Sequence, residues 1–247
     1  MKPRRDVVMV LGGLYHDLDF VRFQLLQAAA RLPHLRVRLA ETYDMTVISG
    51  ASALITYTCG VLPDADTTEA LARWVENGGR WLALHGTNSL LDIAADGQVS
   101  TPPLSEALFD LLGSQFMAHP VPSRHRIRKK ADHPLTTGID SFFVEDEHYL
   151  QRHAAGNIVL FASEFAGETN LFATRHWDKA EHQTVYLRPR GAGGVLYITL
   201  GHARGPYDMR PVTDSYPFIE RGAWGHPEFD MLIARGLGWL DRDPRLE

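Results

Sequence analysis

The chain has one cysteine, Cys59, in 247 residues. No intrachain disulfide is possible, and a reducing compartment is expected. No apolar run is long enough to span a bilayer. The N-terminal stretch MKPRRDVVMVLGGLYHD places basic residues before an apolar run. That run, Val7 to Leu11, is too short for the core of a signal peptide, and no small-residue cleavage site follows directly. There is no basic excess either. The formal net charge is −5 and the pI is about 6.2, which speaks against a nucleic-acid footprint. The one basic cluster, Arg124, Arg126, Arg128, Lys129 and Lys130, alternates like a solvated strand face. Repeats, low-complexity tracts and linker-like segments are missing. These absences lead to the expectation of a cytoplasmic protein without nucleic-acid or membrane partners, built as one unit over 1–247.

What is there is an ordinary globular composition, 45% hydrophobic, in a clear order. Val7 to Leu11 is a continuous apolar run ending in Gly12-Gly13, as a strand buried on both faces reads. Asp17 can cap a helix with Phe20, Phe23, Leu25, Leu26 and Ala30 on its apolar face. Leu35 to Ala40 and Ala53 to Thr58 are strands. Asp64 or Asp66 starts a helix through Leu71, Trp74 and Val75, stopped by Asn77-Gly78-Gly79. Arg80 to Leu84 is a buried strand that ends at His85-Gly86, with a helix start after it. Strand and helix in alternation predict an α/β fold: a doubly wound, mostly parallel sheet with helices on both faces. After residue 92 the pattern changes to a strand-rich insertion. Asp92 to Pro103 reads as a polar loop and Leu104 to Leu112 as a short helix. Arg124 to Lys130, Asn157 to Ser163, Gln183 to Arg188 and Val195 to Leu200 read as strands, the last two joined by the turn PRGAGG. Pro227 to Leu240 is a closing helix.

Ligands of an open parallel sheet bind outside the carboxyl ends of its strands. The chain has 12 histidines. Two of them, His85 and His202, each follow an uninterrupted apolar strand and stand beside a glycine, where a ligand or a second backbone can come close. His16 follows the first strand and fits either a contact with the helix start or a place in the site. His133, in ADHPLTTGI, reads as a turn before proline. His125, His153, His176 and His182 lie in polar stretches and are expected at the surface. Cys59 follows ALITYT at the same sheet edge, but no base is placed beside it, and it reads as a buried, inert thiol.

The segments WVENGGRWLALHG, AHPVP, DHPLTTGI, VEDEHY and GGVLYITLGHARGPY occur in this order over residues 74–207. As an ordered set they resemble the trehalose-utilisation, ThuA-like family of the class I glutamine amidotransferase-like superfamily. The resemblance implies a flavodoxin-like, amidotransferase-like fold and a role in disaccharide utilisation, acting on a sugar or an oxidised (keto) sugar. Departures are His148 before Tyr149 and the stretch between Leu90 and Leu112. In the superfamily's thiol enzymes the corresponding turn reads Cys-His-Gly, with the cysteine as nucleophile on a strained strand-to-helix elbow. Here ALHG puts Leu84 in the cysteine's place, so the thiol mechanism is absent and the chain is not expected to be a glutamine amidotransferase.

The resemblance adds His119 and Glu147 to His85 and His202. Three imidazoles and a carboxylate are a typical ligand set for a divalent ion, zinc above all. Such an ion would polarise a carbonyl or hydroxyl of a sugar. Without metal, His85, Glu147 and His202 could work as catalytic acid and base. His16, Asn88, Tyr149 and Tyr207 are the expected substrate-binding residues. No nucleotide cofactor is expected, the expected partner is a small-molecule carbohydrate, and a homo-oligomer is left open. Two function classes stand: a carbohydrate-active enzyme, or a non-catalytic sugar-binding or regulatory protein on the same fold.

Overall fold

The computed structural model describes residues 3–242, so both ends of the expected 1–247 unit lie outside the described residues. The first half runs β1 (Arg5–Gly13), α1 (Leu18–Ala29), β2 (Leu35–Ala40), α2 (Met45–Ile48), β3 (Ala53–Cys59), α3 (Ala65–Glu76) and β4 (Arg80–Leu84). The helix starts are set by carboxylates. Asp17 Oδ1 accepts the Phe20 N–H at 3.0 Å, and Asp64 Oδ1 accepts the Thr67 N–H at 2.8 Å. The apolar runs are strands with both faces covered. Val7, Met9 and Leu11 join the α1 residues Val21 and Leu25, whereas Val8 and Val10 join Leu71 and Val75 of α3.

The second half runs β5 (Asp92–Ile93), β6 (Val99–Ser100), α4 (Glu106–Leu112), β7 (Ser114–Ala118), β8 (Ser123–Lys129), β9 (Phe142–Asp146), β10 (Leu150–His153), β11 (Ile158–Glu168), β12 (His176–Arg190), β13 (Gly193–Ile198) and α5 (Pro227–Leu240). A nine-stranded sheet has the order β2-β1-β3-β4-β13-β12-β11-β8-β9. From β2 to β13 the neighbours are parallel; from β13 to β9 they are antiparallel. The expectation of a mostly parallel sheet is corrected accordingly: the sheet is mixed. Short connections force the change, because a hairpin such as the one closing Arg190 on Gly193 can only join antiparallel strands.

Other differences are local. The polar stretch after Leu91 carries the antiparallel pair β5–β6, too short to leave a pattern. The helix start after His85 is a single 3₁₀ turn, His85–Asn88. Strands β7 and β10 form a small separate sheet. That sheet and β12 bury or half-bury histidines expected at the surface. His182 is buried, and its Nδ1 accepts the Gln151 N–H at 3.1 Å. His153 Nε2 accepts the Gln183 N–H at 3.2 Å. His125 stacks on buried His148 with ring centres 4.3 Å apart. His176 stays exposed, and His133 caps a short turn by accepting the Leu135 N–H.

Burial, and after it the neighbouring His182, pushes the His153 imidazole down to about 4, and burial lowers His182 as well. Unfolded, both rings take a proton near the ordinary value of about 6.5. Because the folded values are depressed, their contribution to stability is complete above about pH 6.5 and is lost as the pH falls toward 4. The urea midpoint should therefore drop between pH 7 and pH 4, and His153→Gln should shrink that drop. An identical pH slope in the variant would show that the ring is not buried as a neutral base.

Candidate functional site

Each candidate side chain sits just past the carboxyl end of a strand: His16 after β1, His85 after β4, His119 after β7, Glu147 after β9 and His202 after β13. Strands β1, β3, β4 and β13 are consecutive neighbours, and the winding order reverses between β1 and β3. Ligands bind at such a reversal. The register brings Leu84 opposite Ile198, so His85 and Thr199 follow side by side. The glycine after His85 is there for a backbone: a Cβ on Gly86 would lie 2.6 Å from the Thr58 carbonyl oxygen. His85 itself has φ 43°, and Tyr15, just before His16, has φ 69°. Left-handed backbone at non-glycine residues is costly and marks imposed geometry.

Leu84 has ordinary extended backbone, φ −118° and ψ 142°, so the left-handed residue of this turn is His85. Cys59 is buried close by at the end of β3, and burial, with Glu147 adding to it, pushes its thiol up to about 12. No described side chain offers an activated thiol.

The protons on the rings are fixed by what lies behind them. A carbonyl only accepts, so His16 Nδ1 donates to Leu14 O (3.0 Å), His85 Nδ1 to Thr199 O (2.8 Å) and His119 Nδ1 to Pro120 O (2.7 Å). His202 Nε2 donates to the Glu220 carboxylate at 2.8 Å. In the neutral rings the opposite nitrogens carry lone pairs, and these face one another and Glu147. His85 Nε2 lies 3.0 Å from His16 Nε2 and 3.4 Å from Glu147 Oε2. Glu147 Oε1 lies 3.2 Å from His202 Nδ1 and 3.4 Å from His119 Nε2. Neither Glu147 Oε1 nor His202 Nδ1 has a hydrogen-bond partner. The ligand atoms of His16, His85, Glu147 and His202 all lie within 4.8 Å of one another, and all four residues are buried. A proton or a cation must sit among them, and the group could hold a metal ion. The sequence-derived set of His85, His119, Glu147 and His202 is thus modified: His16 enters the tight group, and His119 stands at its edge.

The electrostatics agree. Burial opposes charge on Glu147, but His119, His202 and His85 outweigh it and hold the carboxyl well below its usual range. Burial, reinforced by His85 and His202, drives His16 well below the ordinary imidazole value. For His202 burial is outweighed by Glu147 and Glu220, and its value rises. The buried Tyr149 ring packs on His85 with centres 4.5 Å apart, and burial keeps its hydroxyl protonated. Tyr149 lines the cavity above the cluster. Two expected substrate residues do not. Asn88 is buried below the site, its amide donating to Ser114 Oγ at 2.7 Å, because the 3₁₀ turn directs it inward. Tyr207 is 68% exposed and outside the cavity lining, because the loop carrying it turns outward.

Sequence reading missed Arg204 and Glu220. Arg204 Nη1 donates to Glu220 Oε2 at 2.7 Å, and Nη2 lies 3.6 Å from Glu147 Oε1. Arg204 could have been noticed in GHARGPY; Glu220 enters only through the path of a loop rich in turns. Asp146, next to Glu147 in VEDEHY, has a different role. It accepts four backbone N–H groups: Glu147 (2.7 Å), Gly201 (2.7 Å), His202 (3.2 Å) and Ala223 (3.0 Å).

The model of the trehalose-utilisation family, ThuA, matches residues 17–216. The chain belongs to the ThuA family. Solved structures agree at the level of the fold. A ThuA-like protein from Parabacteroides merdae is 17% identical, with a TM-score of 0.64 over 96% of this chain and 90% of that one. Another from Bacteroides uniformis is 14% identical, with a TM-score of 0.64 over 97% and 93%. A β-galactosidase from Bacillus circulans sp. alkalophilus is 12% identical, with a TM-score of 0.54 over 97% of this chain but 31% of its own. No curated protein sequence matches. In this ThuA member no helix among the described residues is long and apolar enough to cross a membrane.

Asp146→Asn turns an amide N–H toward backbone donors that now meet a carboxylate oxygen. It should lower the unfolding free energy by about 2–6 kcal/mol, the loss of one or two buried charge-assisted hydrogen bonds. Urea denaturation checks this; an unchanged midpoint would mean that the carboxylate does not tie the site's loops together.

Proposed function

We propose that this ThuA protein is an enzyme of carbohydrate utilisation that acts on a small sugar or keto-sugar at a divalent-metal centre, with zinc as the ion. We read the fold as the doubly wound amidotransferase-like arrangement, with helices on both faces of the sheet and the antiparallel strands as an insertion over its carboxyl edge. The single observation that carries the proposal is the proton arrangement: four ring nitrogens and a carboxylate converge, while every ring gives its N–H to an acceptor behind it. Ring N–H groups held this way are the usual outer support of metal-bound histidines.

His16, His85, Glu147 and His202 would hold the ion. Bound there, it would supply positive charge for polarising a sugar carbonyl or hydroxyl. His119 stands at the cavity side, 18% exposed, with its Nε2 lone pair directed inward. It is placed to take a proton from a substrate hydroxyl and return it to a leaving oxygen. Arg204 neutralises Glu147 and Glu220 and offers its remaining donors to the cavity. The walls exclude bulk water from the buried carboxylate, which strengthens each of these interactions.

Calorimetric titration of untagged protein with zinc should give one ion per chain. His85→Ala should weaken binding roughly a hundredfold or more, because it removes a direct ligand where even an outer-shell change costs 10–100-fold. Circular dichroism should show the fold retained. His119→Ala should leave zinc binding within about tenfold and abolish turnover. Protein that binds no divalent ion, or His85→Ala that binds as well as the parent, would overturn the reading.

A further inference from the structure

On the reading that this is a sugar site, we infer that its substrate is a glycoside with an apolar, ring-sized aglycone, and not a free disaccharide. The cavity above the cluster measures about 280 Å³ and changes character with depth. Its floor is polar, with buried His16 and Glu147 and half-buried His119 and Arg204. Its outer wall is apolar: Ile93, Val99, Val121, Leu171, Phe172 and Met209. Among the described residues Asn170 is the only amide side chain in the lining and no aspartate or lysine takes part; of its other polar groups, Tyr216 and Glu220 are already bonded to each other at 3.0 Å. A second sugar ring would have to exchange its water hydrogen bonds for contacts with aliphatic carbon, which is unfavourable for every hydroxyl left unpaired. An aromatic or branched alkyl group gains from the same contacts.

The wall is built, not incidental. The β5–β6 pair is laced to the tip of the β11–β12 hairpin. Val99 N–H donates to Leu171 O and Ala173 N–H donates to Val99 O, both at 2.8 Å. This fixes Val99 against Phe172. At the mouth, Val121 and Leu171 are left 77% and 62% exposed. Exposed apolar groups gathered at the rim of a pocket mark a surface that a ligand covers.

The test is calorimetry on the zinc-loaded protein with methyl glucoside, phenyl glucoside (both anomers) and trehalose. Phenyl glucoside should bind roughly tenfold or more tightly than methyl glucoside, as burying one aromatic group allows. Trehalose should bind no better than methyl glucoside. Leu171→Asp, at an exposed position, should remove the phenyl advantage while leaving methyl glucoside affinity and zinc content unchanged. Equal affinity for phenyl and methyl glucoside, tighter binding of trehalose, or an unchanged phenyl preference in Leu171→Asp would overturn the inference while leaving the sugar site standing. Failure of every glycoside to bind would instead remove the sugar reading itself, and this inference with it.

Discussion

Four imidazoles and a carboxylate meet inside this protein with the outer N–H of every ring already given to an acceptor, so their facing atoms must share a proton or a cation. Leu14 O, Thr199 O and Pro120 O take the outer N–H of His16, His85 and His119, and the Glu220 carboxylate takes that of His202. Two of these acceptors belong to the parallel strands or their first turns. The Thr199 carbonyl is in reach of His85 only because β13 runs beside β4 in the observed register. A slip of one residue would send each side chain to the other face. The site is therefore written into strand pairing more than into any loop. The facing lone pairs are a repulsive arrangement that the burial makes worse, since little water screens them. A shared proton or a cation removes that repulsion.

The second constraint is the Asp146 carboxylate. The parallel half of the sheet supplies His16, His85 and His202, while Glu147 comes from the end of β9 at the far edge of the antiparallel half. Asp146 joins the two. Its oxygens hold the N–H groups of Gly201 and His202 from one half and of Glu147 from the other, and also the turn at Ala223. The small size of Gly222 is needed here, because a Cβ would come within 2.7 Å of Asp146 Oδ1. His85 stands on a left-handed turn, a strained position that aims its imidazole at Glu147 and His16.

Much of this was legible in the sequence where signals are local. The apolar runs Val7–Leu11 and Arg80–Leu84, the caps Asp17 and Asp64, and the hairpin at PRGAGG all act over a few residues, and the corresponding elements are present. His85, His202 and Glu147 could be singled out because each follows a strand or stands in an acidic-aromatic motif. The rest depends on long-range geometry. Whether His16 or His119 lies nearer the centre is decided by how β7 and β9 pack over the sheet edge. Tyr207 and Asn88 stand in suggestive motifs, yet the loop and the 3₁₀ turn direct them elsewhere. The burial of His182, which accepts an N–H from β10, left no periodic trace, since polar residues within a long strand read as exposed. Glu220 had no signal at all, because a turn-rich loop brings it back across eighteen residues to His202.

Crystals grown with zinc and measured on both sides of its absorption edge test most directly the cation proposed among His16, His85, Glu147 and His202. The expected result is one strong anomalous peak bounded by His16 Nε2, His85 Nε2, His202 Nδ1 and Glu147, at ligand distances of about 2.0–2.2 Å. A map with no anomalous density there, and with ring nitrogens still about 3 Å apart around a shared proton at hydrogen-bonding distance, would contradict it.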